Sequence, residues 1–439
     1  MKKRILFLFA VLAVCFLSGC SFRTVDQMYC LPKRPDSYNN LQSVMDGAMV
    51  GHEYCAPLAG ENRQSVQMAD LDGDGVHEYL LFSKNSTEKS LQILIFRENE
   101  ESFDLVDTIS CAGTSFDVVE YVQMDTTAGL ELVVGCQLND QTVRSLTVYQ
   151  YAGGMIQQLL VADYSKFLTC DIDTDGLLDL FVIRPGQSSV EKGVAEFYSL
   201  KHGSVQRSNE ALMSVPAEKI RRIIVGQLQE NVPAIFVGST IGDASIITDV
   251  YAVSDGEFSN ISLSTEYGAS INTLRKYAVY AEDVDNDGLI ELPSLISMTP
   301  IEPGTNEEQQ HLIRWFSMDI EGNQIDKIYT YHNYVGNWYV QLNPQIASRI
   351  CVRVVSNSFE FYLWDSAFTR PEMLFTINTL TGNNRREPLV SEDVFILHQS
   401  DTVTYTCQLH SKAKEMNISW EDMIRSFGLI RQNWKTGET

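Results

Sequence analysis

Three nonapeptides constrain this 439-residue chain more than any other feature: Asp70-Leu71-Asp72-Gly73-Asp74-Gly75-Val76-His77-Glu78, Asp171-Ile172-Asp173-Thr174-Asp175-Gly176-Leu177-Leu178-Asp179, and Asp283-Val284-Asp285-Asn286-Asp287-Gly288-Leu289-Ile290-Glu291. Each places carboxylates at positions 1, 3, 5 and 9 and glycine at position 6. Four carboxylates in so short a loop repel one another unless a dication lies among them. Alternate side chains can converge on one hard ion, the glycine takes the sharp turn, and the carbonyl of position 7 adds an oxygen. The expected ligands of a structural Ca2+ are therefore Asp70, Asp72, Asp74, Val76 and Glu78; Asp171, Asp173, Asp175, Leu177 and Asp179; and Asp283, Asp285, Asp287, Leu289 and Glu291. A helix–loop–helix site would need Glu at position 12 and helices on both sides. Leu81, Val182 and Ser294 stand there, and strand formers flank the loops.

From about residue 62 the chain repeats. Ser65–Met68 precedes the first loop, Tyr79–Phe82 follows it, and Leu180–Ile183 follows another. Val122–Gly135 keeps the strand–turn–strand outline around a shortened, ligand-poor loop, and Ile223–Leu228 with Ala234–Gly238 keeps only the strands. Anchors at Asp70, Asp125, Asp171, Gly226 and Asp283 are separated by 55, 46, 55 and 57 residues. A period of this size with about four strands per unit reads as a β-propeller blade. The expectation is a mainly β chain with about five four-stranded blades over residues 61–332, six or seven being the alternative, closed into a ring so that neighbours cover each blade's apolar faces. Residues 333–439 read as a separate α+β domain. Its strands run from Asn337–Leu342 through Ile350–Val355, Phe359–Trp364, Leu374–Thr379, Val394–His398 and Val403–Leu409. Ser419 N-caps a last helix with Trp420, Met423, Ile424 and Phe427 as its apolar stripe and Gly428 as its stop.

The D-x-D-x-D-G-x-x-[DE] loop, set between strands at blade spacing, resembles the FG-GAP/VCBS repeat family. That resemblance implies a calcium-loop propeller of the kind carried by bacterial surface proteins, here with three structural Ca2+ sites. Two of the five copies lack the acidic set, and position 9 is Glu in two loops where the family usually has Asp. The ending Trp420–Ile430 is similar to the final helix of PsbP-like modules, which implies a binding or docking role.

The start reads as an export signal. Lys2, Lys3 and Arg4 precede an apolar run, Ile5–Phe16, too short to span a bilayer as a mature helix. Leu17-Ser18-Gly19-Cys20 resembles a bacterial lipobox, so residues 1–20 form the signal and Cys20 is the expected lipidation site. The mature protein is then anchored in the cell membrane of a Gram-positive type cell, facing outside. Residues 21–60 form a tether and a short helix on which Leu41, Val44, Met45 and Ala48 share a face. Losing the three signal cations takes the net charge from −24 to −27, which disfavours nucleic acid and anionic headgroups as partners. Seven of the nine cysteines remain after Cys15 and Cys20; the number is odd and no CxxC occurs, which favours mostly free, buried thiols.

Catalytic motifs are scarce. H-E-x-x-H, G-x-S-x-G, the P-loop and the dinucleotide glycine pattern are missing, and three S-x-x-K matches lie in polar loops without their partner motifs. Trp315, Tyr329, Tyr331, Tyr334 and Trp338 cluster near residue 330, as core or as the lining of a glycan or peptide groove. The reading is a non-enzymatic surface lipoprotein whose propeller is a binding scaffold for a protein or glycan. The alternatives are a propeller enzyme acting on extracellular polysaccharide and an accessory factor in envelope assembly or transport.

Overall fold

The structure is a computed structural model that describes residues 36–430 except 100–101, 139–143, 153, 202, 243–244, 277, 302–309, 386–390 and 392. The signal, Cys20 and Cys30 lie outside the described residues. Among the described residues, the chain after helix α1 (Asp36–Ala48) is mainly β and forms six antiparallel sheets in sequence order. The first holds β1 (His52–Tyr54), β2 (Val66–Ala69), β3 (Glu78–Asn85), β4 (Leu91–Glu98) and β5 (Phe103–Cys111). The second holds β6 (Ser115–Val122), β7 (Glu131–Gln137), β8 (Arg144–Ala152) and β9 (Met155–Tyr164). The third is built on β10 (Lys166–Cys170), β11 (Asp179–Arg184), β12 (Val194–Lys201), β13 (Ser204–Arg207) and β14 (Ala211–Leu212). The fourth follows with β15 (Ile220–Gln229), β16 (Val232–Ile241), β17 (Ser245–Ser254) and β18 (Glu257–Asn260).

A strand alternates its side chains between two faces, so a strand covered on both sides reads as an unbroken apolar run. The central strands obey this rule. Leu80 and Phe82 of β3 pack with Leu132 and Val134 of β7. Leu180 and Val182 of β11 pack back onto Val133 and Leu146 of the second sheet. Their neighbours Phe181 and Ile183 pack forward onto Ile235 and Val237 of β16. Ala234 and Phe236 then face the next sheet through Leu292 and Phe316. Each sheet is thus glued to the next by one face per strand.

The fifth sheet holds β19 (Leu292–Ser297), β20 (His311–Met318), β21 (Gln324–Asn333) and β22 (Trp338–Leu342). The short helix α2 (Pro344–Ala347), capped by the Asn343 side chain accepting from the Gln345 amide at 2.9 Å, turns the chain out of it. The sixth sheet contains β23 (Ile350–Val355), β24 (Ser358–Trp364), β25 (Pro371–Leu380), β26 (Val394–Gln399) and β27 (Thr404–Leu409), with β27 between β25 and β26. Two short helices follow, α3 (Ser411–Glu415) and α4 (Trp420–Ser426), and then β28 (Phe427–Leu429), which returns to pair with β22.

Six sheets are present among the described residues: five built on strands up to Leu342, where about five blades with six or seven as the alternative were expected, and a sixth in the stretch expected as an α+β domain. The boundary at 332/333 falls inside the fifth sheet, because Trp338–Leu342 is its fourth strand rather than the opening of a new domain. The fifth and sixth sheets also share one core, in which Leu312, Tyr331 and Trp338 meet Phe361, Phe375 and Cys407. The outer face of the first sheet, which a last blade would cover in a ring, is covered instead by α1: Leu41 and Met45 sit on Leu81, Leu94, Phe96 and Phe103. A terminal sheet of a stacked array needs such a cap.

The terminal helix is capped as read, with a reciprocal Ser419–Asp422 box. Its stripe is another matter: only Met423 is buried, Trp420 is 52% exposed, and Gly428 lies in β28 rather than stopping the helix. The described cysteines Cys55, Cys111, Cys136, Cys170, Cys351 and Cys407 are all free, and only Cys55 is not buried.

Candidate metal centres

The first and second acidic loops join consecutive antiparallel strands of their sheets, β2 to β3 and β10 to β11. The third leads into β19 and is closed by a single bridge between Glu282 and Glu291. All three share one internal hydrogen-bond pattern. The position 6 amide donates to the position 1 carboxylate at 3.0 Å in each case: Gly75 to Asp70, Gly176 to Asp171, Gly288 to Asp283. Position 5 donates to position 3 at 3.1, 3.3 and 3.2 Å, and position 7 to position 5 at 2.7, 3.0 and 2.9 Å. The buried acid at position 9 reaches back to the position 2 amide: Glu78 to Leu71 at 2.9 Å, Asp179 to Ile172 at 3.4 Å, Glu291 to Val284 at 3.0 Å.

This winding needs left-handed backbone twice. Position 6 sits at φ of 86, 88 and 89°, where glycine carries no penalty. Position 4 sits at 74° in Gly73, 62° in Thr174 and 61° in Asn286. A β-branched residue such as Thr174 is strained there and stays only because its surroundings hold it.

The outcome is a convergence of oxygens. Ligand atoms of Asp70, Asp72 and Glu78, of Asp171, Asp173 and Asp179, and of Asp283, Asp285 and Glu291 lie within 4.8 Å of one another in each set, and each set could hold a metal ion. The position 5 acids Asp74, Asp175 and Asp287, expected as ligands, fall outside these sets. Asp287 instead accepts from Lys327, whose ammonium lowers the carboxyl's pKa. In the second and third loops Asp171 Oδ1, Asp283 Oδ1 and Glu291 Oε1 are buried with no hydrogen bond. A buried oxygen without a partner is costly, and a cation would supply the partner. Burial, with the neighbouring carboxylate Asp173 adding, pushes Asp179 up to about 8. Burial likewise, with Asp285 and Asp287 adding, pushes Glu291 up to about 7. A dication would reverse both shifts.

The degenerate copy gains a new alignment. Glu131 accepts from the Met124 amide at 2.7 Å and Asp125 from the Thr127 amide at 2.7 Å, which are the 9-to-2 and 3-to-5 bonds of the acidic loops. Gln123 therefore stands at position 1, Asp125 at position 3 and Glu131 at position 9, and the loop is not shortened. Its centre is filled by amides. Gln123 Nε2 donates to the carbonyls of Asp125, Thr127 and Gly129. Gln150 Nε2, from β8, bridges Asp125 Oδ2 at 2.9 Å and Glu131 Oε1 at 2.8 Å. Gly129 is position 7, so in this copy the position 7 carbonyl points inward, as expected for Val76, Leu177 and Leu289.

Backbone bonds also tie the corners of adjacent sheets together: Leu130 donates to Asp70 at 3.2 Å, Leu178 to Gln123 at 2.9 Å and Ile290 to Gln227 at 2.9 Å. A cavity of about 560 Å³ opens between the first three corners, lined in part by Asp72, Asp125, Asp175, Tyr151 and Lys201. A second, of about 420 Å³, lies where the fifth and sixth sheets meet, with Tyr331, His332, Tyr334 and Phe359 among its walls. Of the aromatic group read from the sequence, Trp315, Tyr331 and Trp338 are buried core.

No protein-family model matches the chain, and no curated protein matches it. Among solved structures it is similar to a rhamnogalacturonan lyase of Bacillus licheniformis, at 12% identity over 73% of this chain and 72% of that one, with a TM-score of 0.30. The exotype rhamnogalacturonan lyase YesX is 12% identical over 85% and 77%, at 0.27. Rhamnogalacturonan lyase YesW is 13% identical over 88% and 80%, at 0.28. Superposition at this level assigns neither fold nor activity.

Proposed function

We propose that this chain is a calcium-stabilised, non-catalytic binding scaffold, held on the outer side of a cell membrane by a lipid on Cys20. The observation that carries the metal role is the recurrence, at sheet corners, of three carboxylates with buried oxygens left unpartnered in two of the three loops. The carboxylates of those loops are spent on holding the loop's own amides, which supports a structural rather than a reactive use. The ions would lock the seam along which successive corners are hydrogen-bonded. Millimolar calcium outside a cell suits the affinity range of such extracellular modules, a Kd of about 10⁻⁴–10⁻³ M.

The ligand surface we favour is the cavity between the fifth and sixth sheets, where Tyr334 and Phe359 stand beside Gln310 and Asn333. Rings set among amides suit a sugar or a peptide. Glycan and peptide arrays probed with the ectodomain in calcium are expected to retain one ligand class, and Tyr334→Ala to weaken that signal at least tenfold. Release of shortened, unsaturated sugar products would overturn the non-catalytic reading in favour of a polysaccharide-cleaving one. In cells, Cys20→Ser is expected to move the protein from the membrane fraction to the medium; continued membrane attachment would refute the lipid anchor.

A further inference from the structure

The acidic loops differ in what faces them across the sheet. The pairs Tyr79↔Phe96, Leu132↔Tyr149, Leu180↔Tyr198 and Leu292↔Phe316 set the register of the next strand. One residue further along, position 9 of each loop meets its cross-strand partner: Glu78 meets Arg97, Glu131 meets Gln150, Asp179 meets Ser199 and Glu291 meets Ser317.

That partner decides how the acids at positions 3 and 9 are satisfied. Arg97 donates from Nε and Nη2 to Glu78 Oε1 at 3.0 and 2.9 Å, and from Nη2 to Asp72 Oδ2. Gln150 makes the same two connections in the second copy, to Asp125 Oδ2 and Glu131 Oε1. Serine cannot span the gap. Ser199 and Ser317 are buried, and Glu291 Oε1, the oxygen that Arg97 covers on Glu78 and Gln150 on Glu131, stays unpartnered. Position 1 differs for a separate reason: Asp70 Oδ1 accepts from the Gly73 amide at 2.8 Å, whereas Asp171 Oδ1 and Asp283 Oδ1 are buried without a hydrogen bond. Lys201 and Lys327 do not fill that role: each hydrogen-bonds to one carboxylate, Asp173 or Asp287, and neither donates to the acid at position 9. Arg97 is further fixed by Tyr151 of the second sheet, whose ring centre lies 5.3 Å from its guanidinium.

Resting on the reading of these loops as divalent-cation sites, we propose that Arg97 is the resident cation of the first loop, and that the chain binds two divalent ions, in the second and third loops, rather than three. A guanidinium lying on two of the three clustered acids blocks them geometrically and repels a second positive charge. Serine at the cross-strand position leaves room for an ion; arginine or glutamine replaces it.

The test is a count. Metal-free full-length ectodomain is titrated with calcium, and bound ions are counted by native mass spectrometry and by calorimetric stoichiometry. Two ions on the wild type and three on Arg97→Ser are expected, with Ser317→Arg reduced to one. Three ions on the wild type would overturn the role of Arg97 without any variant having to fold. Two ions on folded Arg97→Ser would overturn it as well. No bound ion on the wild type would instead overturn the underlying reading of the loops as cation sites.

Discussion

Replacing Trp338 by alanine is expected to lower the unfolding free energy by about 3–5 kcal/mol, the range for removing a fully buried aromatic side chain. Trp338 is 0% exposed on β22 and touches three elements at once. Its ring lies 5.1 Å from Phe359 of the sixth sheet, 5.8 Å from Phe427 of β28 and 5.9 Å from Tyr331 of its own sheet. The truncation should therefore uncouple the fifth sheet from the sixth. Chemical unfolding should shift from a shared transition to one in which the last sheet loosens first. Trp338→Phe should retain most of the stability. A loss below about 1 kcal/mol for Trp338→Ala would mean that the two sheets do not depend on a common core.

Removing divalent ions is expected to lower the melting temperature by several degrees at pH 8, with added calcium restoring it. Two sites held at about a hundred times their Kd together contribute about 5 kcal/mol. The effect carries a pH signature. Asp179 and Glu291 titrate at about 8 and about 7 in the folded metal-free protein. Unfolded, such acids titrate near 4. Their folded values are raised, so the stability they contribute is full below about pH 4 and is lost as pH rises through 7 to 8. Calcium replaces the protons and relieves that loss. The gain in melting temperature on adding calcium should thus be small at pH 5 and largest at pH 8. An unchanged melting curve in chelator at pH 8, or a gain that falls with rising pH, would contradict this.

Much of the architecture is legible in the sequence because it rests on local patterns. Leu80–Phe82, Leu180–Ile183 and Ala234–Val237 are unbroken apolar runs, and burial on both faces is why. The loop winding follows from the glycine at position 6 and the alternating carboxylates. What the sequence hides is anything that depends on register. Arg97 lies 19 residues beyond Glu78, and Gln150 lies 19 beyond Glu131. That shared spacing was the available signal, but it gains meaning only once a hairpin places the two residues side by side. In the second copy Asp125 resembles a position 1 aspartate in sequence, whereas the bond it accepts from the Thr127 amide makes it position 3. The boundary near residue 332 followed from where the acidic loops stop, although sheet building continues past them. Trp338–Leu342 joins the fifth sheet through a local hairpin with β21, but the three-residue β28 joins it through pairings across nearly a hundred residues, which no local pattern announces.

The central claim is that divalent cations seat among buried carboxylates at sheet corners. Anomalous diffraction from crystals saturated with calcium tests it most directly. Ion peaks are expected among Asp171, Asp173 and Asp179 and among Asp283, Asp285 and Glu291, with the Arg97 guanidinium lying across Asp72 and Glu78. Calcium-saturated crystals in which both serine-faced corners hold only water would contradict it.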